Sequence, residues 1–317
     1  MGVLRSGYVF SFTLLAISVP QLHATTNVVA WGDNSNGLLN IPAGTYSLVA
    51  AGYDGAFGLK TDGTLAAWST ASNASSFITP PTGTFTSIAA GYANGVALRS
   101  DGTLAAWGNS AYGLNTAPTG AYQSVFAGSF DNYALLPGNT LYQWGNSGTG
   151  TLQSGQFTAI SSGTFFSVGL RPDGSAVAWG SSVNGELNLP TGRFIQVAAG
   201  YDNGVAIRTD GTLVAWGDSQ QGLLNVPSGT FKEVAAGYIW DLGLRTDGTL
   251  VAWGSDFYNQ LAVPAGHFDD ITINGGDGVT GFAWTNPVPE PGSFALLVLG
   301  IVPLLRRSSR LRCSTTP

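Results

Sequence analysis

Cysteine is all but missing from this chain: Cys313, in the last five residues, is the single one. The body therefore offers no disulfide and no thiolate metal site. Histidine is almost as scarce. His23 and His267 stand far apart, so a histidine metal site and a Ser-His catalytic pair both lack support. Charged residues make up only 9%. That low charge comes with 45 glycines and 11% aromatics, which is not the charge-rich, aromatic-poor composition of a disordered chain. Helical periodicity is missing too, and the Gly-x-Gly pieces precede no helix, so no phosphate-cradling loop is indicated. No cofactor and no metal is expected.

What the chain has is a period. Trp31, Trp68, Trp107, Trp144, Trp179, Trp216 and Trp253 recur at gaps of 35 to 39 residues, and a fixed period of this length signals a repeat architecture. The fifth unit shows its content. Phe194 to Ala199 is rich in β-formers, Gly204 to Arg208 is a second strand, and Thr212 to Trp216 a third. Asp210-Gly211 between the last two predicts a type I′ hairpin turn. The same Asp-Gly marks recur at Asp62, Asp101, Asp173 and Asp247, with Gly138-Asn139 in the third unit. A Pro-x-Gly turn opens the units at Pro42, Pro81, Pro118, Pro190, Pro227 and Pro264.

A lone three-stranded sheet cannot bury both faces, whereas radial stacking does. The expected fold is all-β: a seven-bladed β-propeller of three-stranded blades. After Pro264 the last unit has strands one and two and no third. Allowing one inserted residue, Gly281-Phe282 aligns with Gly243-Leu244, and Trp284 falls out of the tryptophan register. Val28-Val29-Ala30-Trp31 is an orphan third strand, expected to complete the last blade and close the ring.

The two ends are different in kind. Arg5, the apolar stretch Tyr8 to Val19 and Leu22-His23-Ala24 read as a secretory signal peptide, residues 1–24. The propeller would occupy 25–286. Residues 287–317 begin with Pro289-Glu290-Pro291, continue with 14 apolar residues from Gly292 to Leu305, and end with Arg306, Arg307, Arg310 and Arg312. Fourteen residues are short for a permanent span, which needs about 20, and the arginines would stay cytoplasmic. This arrangement resembles the PEP-CTERM sorting signal of bacterial exported proteins. The resemblance implies an exosortase as partner during sorting. It also implies passage through the inner membrane only transiently, through 292–305, and a destination in the cell envelope, cell surface or extracellular matrix.

The repeat Ala-Ala-Gly-Tyr … Leu-Arg-Thr-Asp-Gly-Thr-Leu-Val-Ala-Trp-Gly … Val-Pro resembles the short repeats of the regulator of chromosome condensation superfamily. Within it, the chain is most similar to the propellers of the β-lactamase inhibitor protein II type, which implies seven three-stranded blades. Many repeats of that superfamily carry His-Ser after Ala-Gly. Here Gly55, Asn94, Asp131, Phe166, Asn203 and Trp240 stand there.

Without the ends, seven basic residues face 17 acidic ones, a formal balance of −10. Such a body should repel phosphate backbones, so no nucleic-acid partner is expected. The residues that vary between units lie in the loops joining strands one and two: Tyr53, Asp54, Tyr92, Phe130, Asp131, Phe165, Tyr201, Asp202, Tyr238, Trp240 and Asp241. These loops should open on one face as a ring of aromatics with acids among them, a composition that suits contact with a protein or a sugar. Phe130, Phe165 and Trp240 depart most from the repeat. Asp54, Asp131, Asp202 and Asp241 could face one another across the ring, the arrangement that paired-carboxylate glycoside chemistry would need, but no spacing in the sequence marks such a pair. The expected function is that of a non-enzymatic exported scaffold that binds a protein or an exopolysaccharide. The alternatives are a polysaccharide-active propeller enzyme and an inhibitor of a secreted enzyme.

Overall fold

The computed structural model describes residues 27–71, 78–146, 151–274 and 278–286. The expected signal peptide and sorting tail lie outside them. Seven antiparallel sheets follow one another along the chain. Blades 1 and 2 are Tyr46–Ala51, Ala56–Lys60, Leu65–Trp68 and Phe85–Ala90, Asn94–Arg99, Leu104–Gly108. Blade 3 is Ser124–Ala127, Asp131–Leu135, Thr140–Gly145, and blade 4 is Ala159–Ser162, Phe166–Leu170, Ala176–Gly180. Blades 5 and 6 are Phe194–Ala199, Asn203–Arg208, Leu213–Gly217 and Phe231–Ala236, Trp240–Arg245, Leu250–Gly254.

Blade 7 joins the two ends of the body. Its inner and middle strands are Asp270–Ile273 and Thr280–Trp284, and its outer strand is Val28–Gly32. Val28 pairs with Trp284 and Gly32 with Thr280, so the N-terminal strand closes the ring as the repeat count requires. The alignment of this blade is corrected, however. Gly281 faces Trp31 across the sheet as Asp241 faces Trp253. Gly281-Phe282 thus matches Asp241-Leu242, and the loop before it is three residues longer than its counterparts.

Blade 3 differs from the expected three strands. Thr151–Gln156 pairs with Thr140–Gly145 as a fourth, outermost strand. The junction after blade 3 is the one without a Pro-x-Gly turn. Proline has no N–H to give to a ladder. Where it is missing, the linker is free to pair.

The core lies between blades. Seven hydrophobic clusters each straddle one blade interface, such as Tyr46, Val49 and Trp68 of blade 1 with Val28, Phe282 and Trp284 of blade 7. Middle strands are buried on both faces, as in Asn203–Arg208. The repeated tryptophans cross these interfaces. The indole N–H of Trp216 donates to the Glu186 carbonyl at 2.7 Å, Trp253 to Leu223 at 3.0 Å, and Trp68 to Leu38 at 2.8 Å. Trp31 donates to Gln260 at 2.9 Å and so ties the first strand to the last linker. The indoles of Trp107, Trp216 and Trp31 lie against the glycines opposite them, Gly95, Gly204 and Gly281. A Cβ added at Gly204 would come within 2.2 Å of the Trp216 ring, so glycine is required there.

At the hairpin end, the Asp-Gly turns are not of type I′. Gly211 has φ +84, while Asp210 is absent from the residues with positive φ. Gly211 N–H bonds the Arg208 carbonyl, and Arg208 N–H bonds that of Thr212. This is a three-residue loop with one left-handed glycine, the bulged alternative to the two-residue turn. Asp210 instead accepts from the Thr212 N–H and hydroxyl at 3.0 and 2.7 Å, and these bonds hold its carboxyl below the usual range. The preceding arginine folds back onto the Pro-x-Gly turn. Arg245 donates to the Ser228 carbonyl and lies 5.1 Å over the Phe231 ring.

The Trp216→Phe variant tests the bridging bond. It keeps an aromatic ring but leaves the Glu186 carbonyl buried without its donor. The expected cost is about 1–3 kcal/mol in chemical denaturation. Gly204→Ala should destabilise through its clash with the same indole.

Candidate functional site

In every blade the inner strand ends, and the middle strand begins, at one end of the ring. The middle strand then runs down to the Asp-Gly hairpin at the other end. The seven basic residues of the body therefore share one end. Lys60, Arg99, Arg171, Arg208 and Arg245 immediately follow or end a middle strand, and Arg193 and Lys232 sit at the start of an inner one. The opposite end carries Asp33, Asp54, Asp131, Glu186, Asp202, Asp218, Asp241 and Asp256 and no described basic residue.

That acidic end also holds the exposed aromatics. Among the described residues nine large hydrophobic side chains are exposed, and seven lie there: Tyr92, Tyr112, Phe165, Val183, Tyr238, Phe257 and Tyr258. The rings run around the mouth of the channel. Tyr53 stacks on Tyr92 at 4.6 Å. Tyr112 meets Phe130 at 5.9 Å, Phe130 meets Phe165 at 6.4 Å, Phe165 meets Tyr201 at 5.0 Å, and Tyr201 meets Tyr238 at 4.6 Å. Backbone bonds between neighbouring loops set their positions. Tyr53 N–H donates to the Tyr92 carbonyl and Tyr201 N–H to that of Gly237. The rim is thus pre-formed, which lowers the ordering cost of any contact it makes. Tyr112 holds φ 60, a conformation in which bulky side chains are rare and which tends to mark functional positions.

Tyr53, Tyr92, Phe130, Phe165, Tyr201 and Tyr238 are thus brought together as expected from the loops. Trp240 and Asp241 are not on the rim, which corrects their assignment. They are the first two residues of a middle strand, and both are fully buried. Trp240 packs edge-on against Trp31 at 6.3 Å and donates its indole N–H to the Gly278 carbonyl. Asp241 accepts from Asn203 Nδ2 of the preceding blade at 2.9 and 3.1 Å and from the Gly237 N–H. Burial outweighs those bonds and pushes its carboxyl up to about 7. Asp54 is buried as well, only 4% exposed.

Asp202 lies near the buried Glu186 beneath the rim, and its carboxyl is raised by burial, then by the charges of Glu186 and Asp218. Glu233 and Asp270 are neighbours in the channel wall toward the hairpin end. Burial and the Asp270 charge push Glu233 up to about 8. Glu233 bridges blades, accepting from the Ile271 N–H at 3.0 Å. Among the described residues no group of three or more His, Cys, Asp or Glu side chains is placed to hold a metal.

Sequence reasoning missed Tyr112, Val183, Phe257 and Tyr258. They belong to the linkers that leave each outer strand at the rim end. The signal was the change from Ser35-Asn36 in the first linker to Phe257-Tyr258 in the last.

A family model described as the regulator of chromosome condensation (RCC1) repeat matches residues 85–114 and 194–222. Among solved structures the chain is similar to the ectodomain of the Physcomitrella patens receptor kinase CR4. The identity there is 23% with a TM-score of 0.64, covering 76% of this chain and 71% of that one. Human WBSCR16 is similar at 13% identity and TM-score 0.67, covering 82% and 99%. Yeast RCC1 (Prp20), in its complex with Kap60, is similar at 15% identity and TM-score 0.64, covering 83% and 89%. No curated protein sequence matches the chain. At these identities the likeness speaks for the fold: an RCC1-like repeat propeller.

The buried carboxyls make stability depend on pH. The folded pKa of Glu233 lies above its ordinary value, so folding holds a proton that the unfolded chain releases. Its contribution is complete below pH 4.5 and is lost as the pH rises to about 8. Asp241 acts in the same direction between 3.8 and about 7. Denaturation midpoints should fall across this window, and Glu233→Gln, which cannot titrate, should flatten the part above pH 7.

Proposed function

We infer that this RCC1-like repeat propeller is an exported, non-enzymatic binding scaffold of the cell envelope or extracellular matrix. Its ligand, a protein or an exopolysaccharide, meets the aromatic rim. The observation that carries this reading is that, among the described residues, seven of the nine exposed large hydrophobics lie on one end of the ring. Scattered apolar residues need no explanation, whereas a contiguous set rimmed by polar groups marks an interaction surface. Tyrosine and phenylalanine at such a surface supply large, rigid contact area. The acids on the same end, with no described base among them, speak against phosphate-bearing ligands. Export rests on the sequence alone, through Arg5 to Ala24 and the Pro289-Glu290-Pro291 tail with Arg306, Arg307 and Arg310. An exosortase would act on that tail.

The test is capture by the full chain from the extracellular fraction of the producing cells. Tyr92 and Phe165 are exposed, so the double variant Tyr92→Ala/Phe165→Ala should keep its circular dichroism spectrum. It should bind its ligand at least ~10-fold more weakly, the equivalent of about 1.4 kcal/mol. Undiminished capture by that variant would place the contact elsewhere.

A further inference from the structure

Blades 1 to 6 each set an aromatic near the channel mouth, and the sequence of the corresponding loop in blade 7, Gly275-Gly276-Asp277-Gly278, contains none. Between Tyr238 of blade 6 and Tyr53 of blade 1 lies a cavity of about 500 Å³. Its volume falls within the ~300–1,000 Å³ of small-molecule sites. Phe257 and Tyr258 stand over it from the last linker, with Asp33 and Gln221 at its polar edges. Phe257 is 75% and Tyr258 50% exposed, and neither ring packs on another ring among the described residues. Gln221 is held at φ 58, outside the comfortable region for a side-chain-bearing residue. Asp33 is oriented by Ser35, whose N–H and hydroxyl both donate to it.

We propose that this notch at the ring closure binds a neutral sugar unit of a polysaccharide chain, with Tyr258 and Tyr238 as stacking platforms and Asp33 and Gln221 as hydroxyl partners. The inference rests on the rim being the binding face and names what one part of that face takes. The chemistry selects the ligand. Sugar rings present apolar C–H faces that lie on aromatic rings and hydroxyls at their edges. Carboxylates and amides accept from and donate to such hydroxyls. No described basic residue lines the notch, so a sulfated, phosphorylated or uronic-acid unit would find no counter-charge among them. A helix, about 10–12 Å across with its side chains, is a poor fit to a space of this volume, whereas a sugar ring is not. The notch opens onto the solvent-facing rim, so an extended chain could continue over Tyr53 and Tyr92.

The full chain is run in native affinity gels that contain dextran, xylan, galactomannan or soluble hydroxyethyl cellulose, beside gels without polysaccharide. Retardation by at least one of these neutral polymers is expected. Tyr258→Ala and Tyr238→Ala should each weaken it ~10-fold or more, and Tyr258→Phe should retain it. Phe257→Ala serves as a second truncation at the most exposed ring, and circular dichroism checks that each variant is folded. Ile195→Ala, an exposed position at the hairpin end, should leave the retardation unchanged. The proposal is overturned if none of the four polymers retards the wild type, or if retardation survives both tyrosine truncations. Capture of an extracellular ligand that is lost with Tyr92→Ala/Phe165→Ala but unaffected by Tyr258→Ala would overturn the notch and leave the rim reading standing.

Discussion

A buried indole N–H that reaches across to the linker of the neighbouring blade is the interaction on which this ring depends. A three-stranded sheet has two faces and a short span, and its apolar residues are covered only when the next blade lies against it. The tryptophan does both parts of the work. Its ring fills the interface, and at Trp31, Trp68, Trp144, Trp216 and Trp253 its N–H reaches a linker carbonyl, whereas Trp179 donates to the Tyr133 hydroxyl. The constraint propagates to the backbone. Gly204, Gly95 and Gly281 carry no side chain because the indole occupies that space. It also propagates around the ring: the bond from Trp31 to Gln260 joins the first strand to the last linker. Ring closure is then one more copy of a contact made elsewhere.

Strand direction makes the two ends of the propeller chemically different. Each middle strand starts at the rim and finishes at the hairpin, so a cation at its end in five blades collects at one end of the ring. There the arginines brace the Pro-x-Gly turns. The rim is left to acids, amides and aromatics. Its backbone is tied loop to loop, so the scaffold holds side chains that vary between blades at fixed positions. This is the physical sense in which a repeat protein separates stability from recognition.

Much of the fold was legible because its signals repeat. One tryptophan suggests little, but seven at a near-constant spacing, with Trp284 out of step, led to seven blades and to the closing role of Val28 to Trp31. The fourth strand of blade 3 was visible in principle as a missing proline. The three-residue insertion before Thr280 was not, because glycine-rich segments align equally well at several offsets. At the site, the loop aromatics other than Trp240 were placed well. Trp240 failed for a physical reason: a side chain at the first position of a middle strand points into the interface, whereas one in the loop before it points to solvent. Only one or two register steps separate Trp240 from Ile239 and Tyr238, and sequence spacing does not resolve them. Phe257 and Tyr258 were overlooked because the linkers follow no repeat pattern at those positions.

The central claim is that the rim end, and not the hairpin end, meets the ligand. Carbene footprinting of the full chain, free in solution and bound to the extracellular matrix of the producing cells, tests it directly. Protection should concentrate on Tyr92, Tyr112, Phe165, Tyr238 and Tyr258, with Ile195 and the Asp-Gly hairpins unchanged. Protection centred on the hairpins and the arginines beside them, with the rim still labelled, would contradict the account.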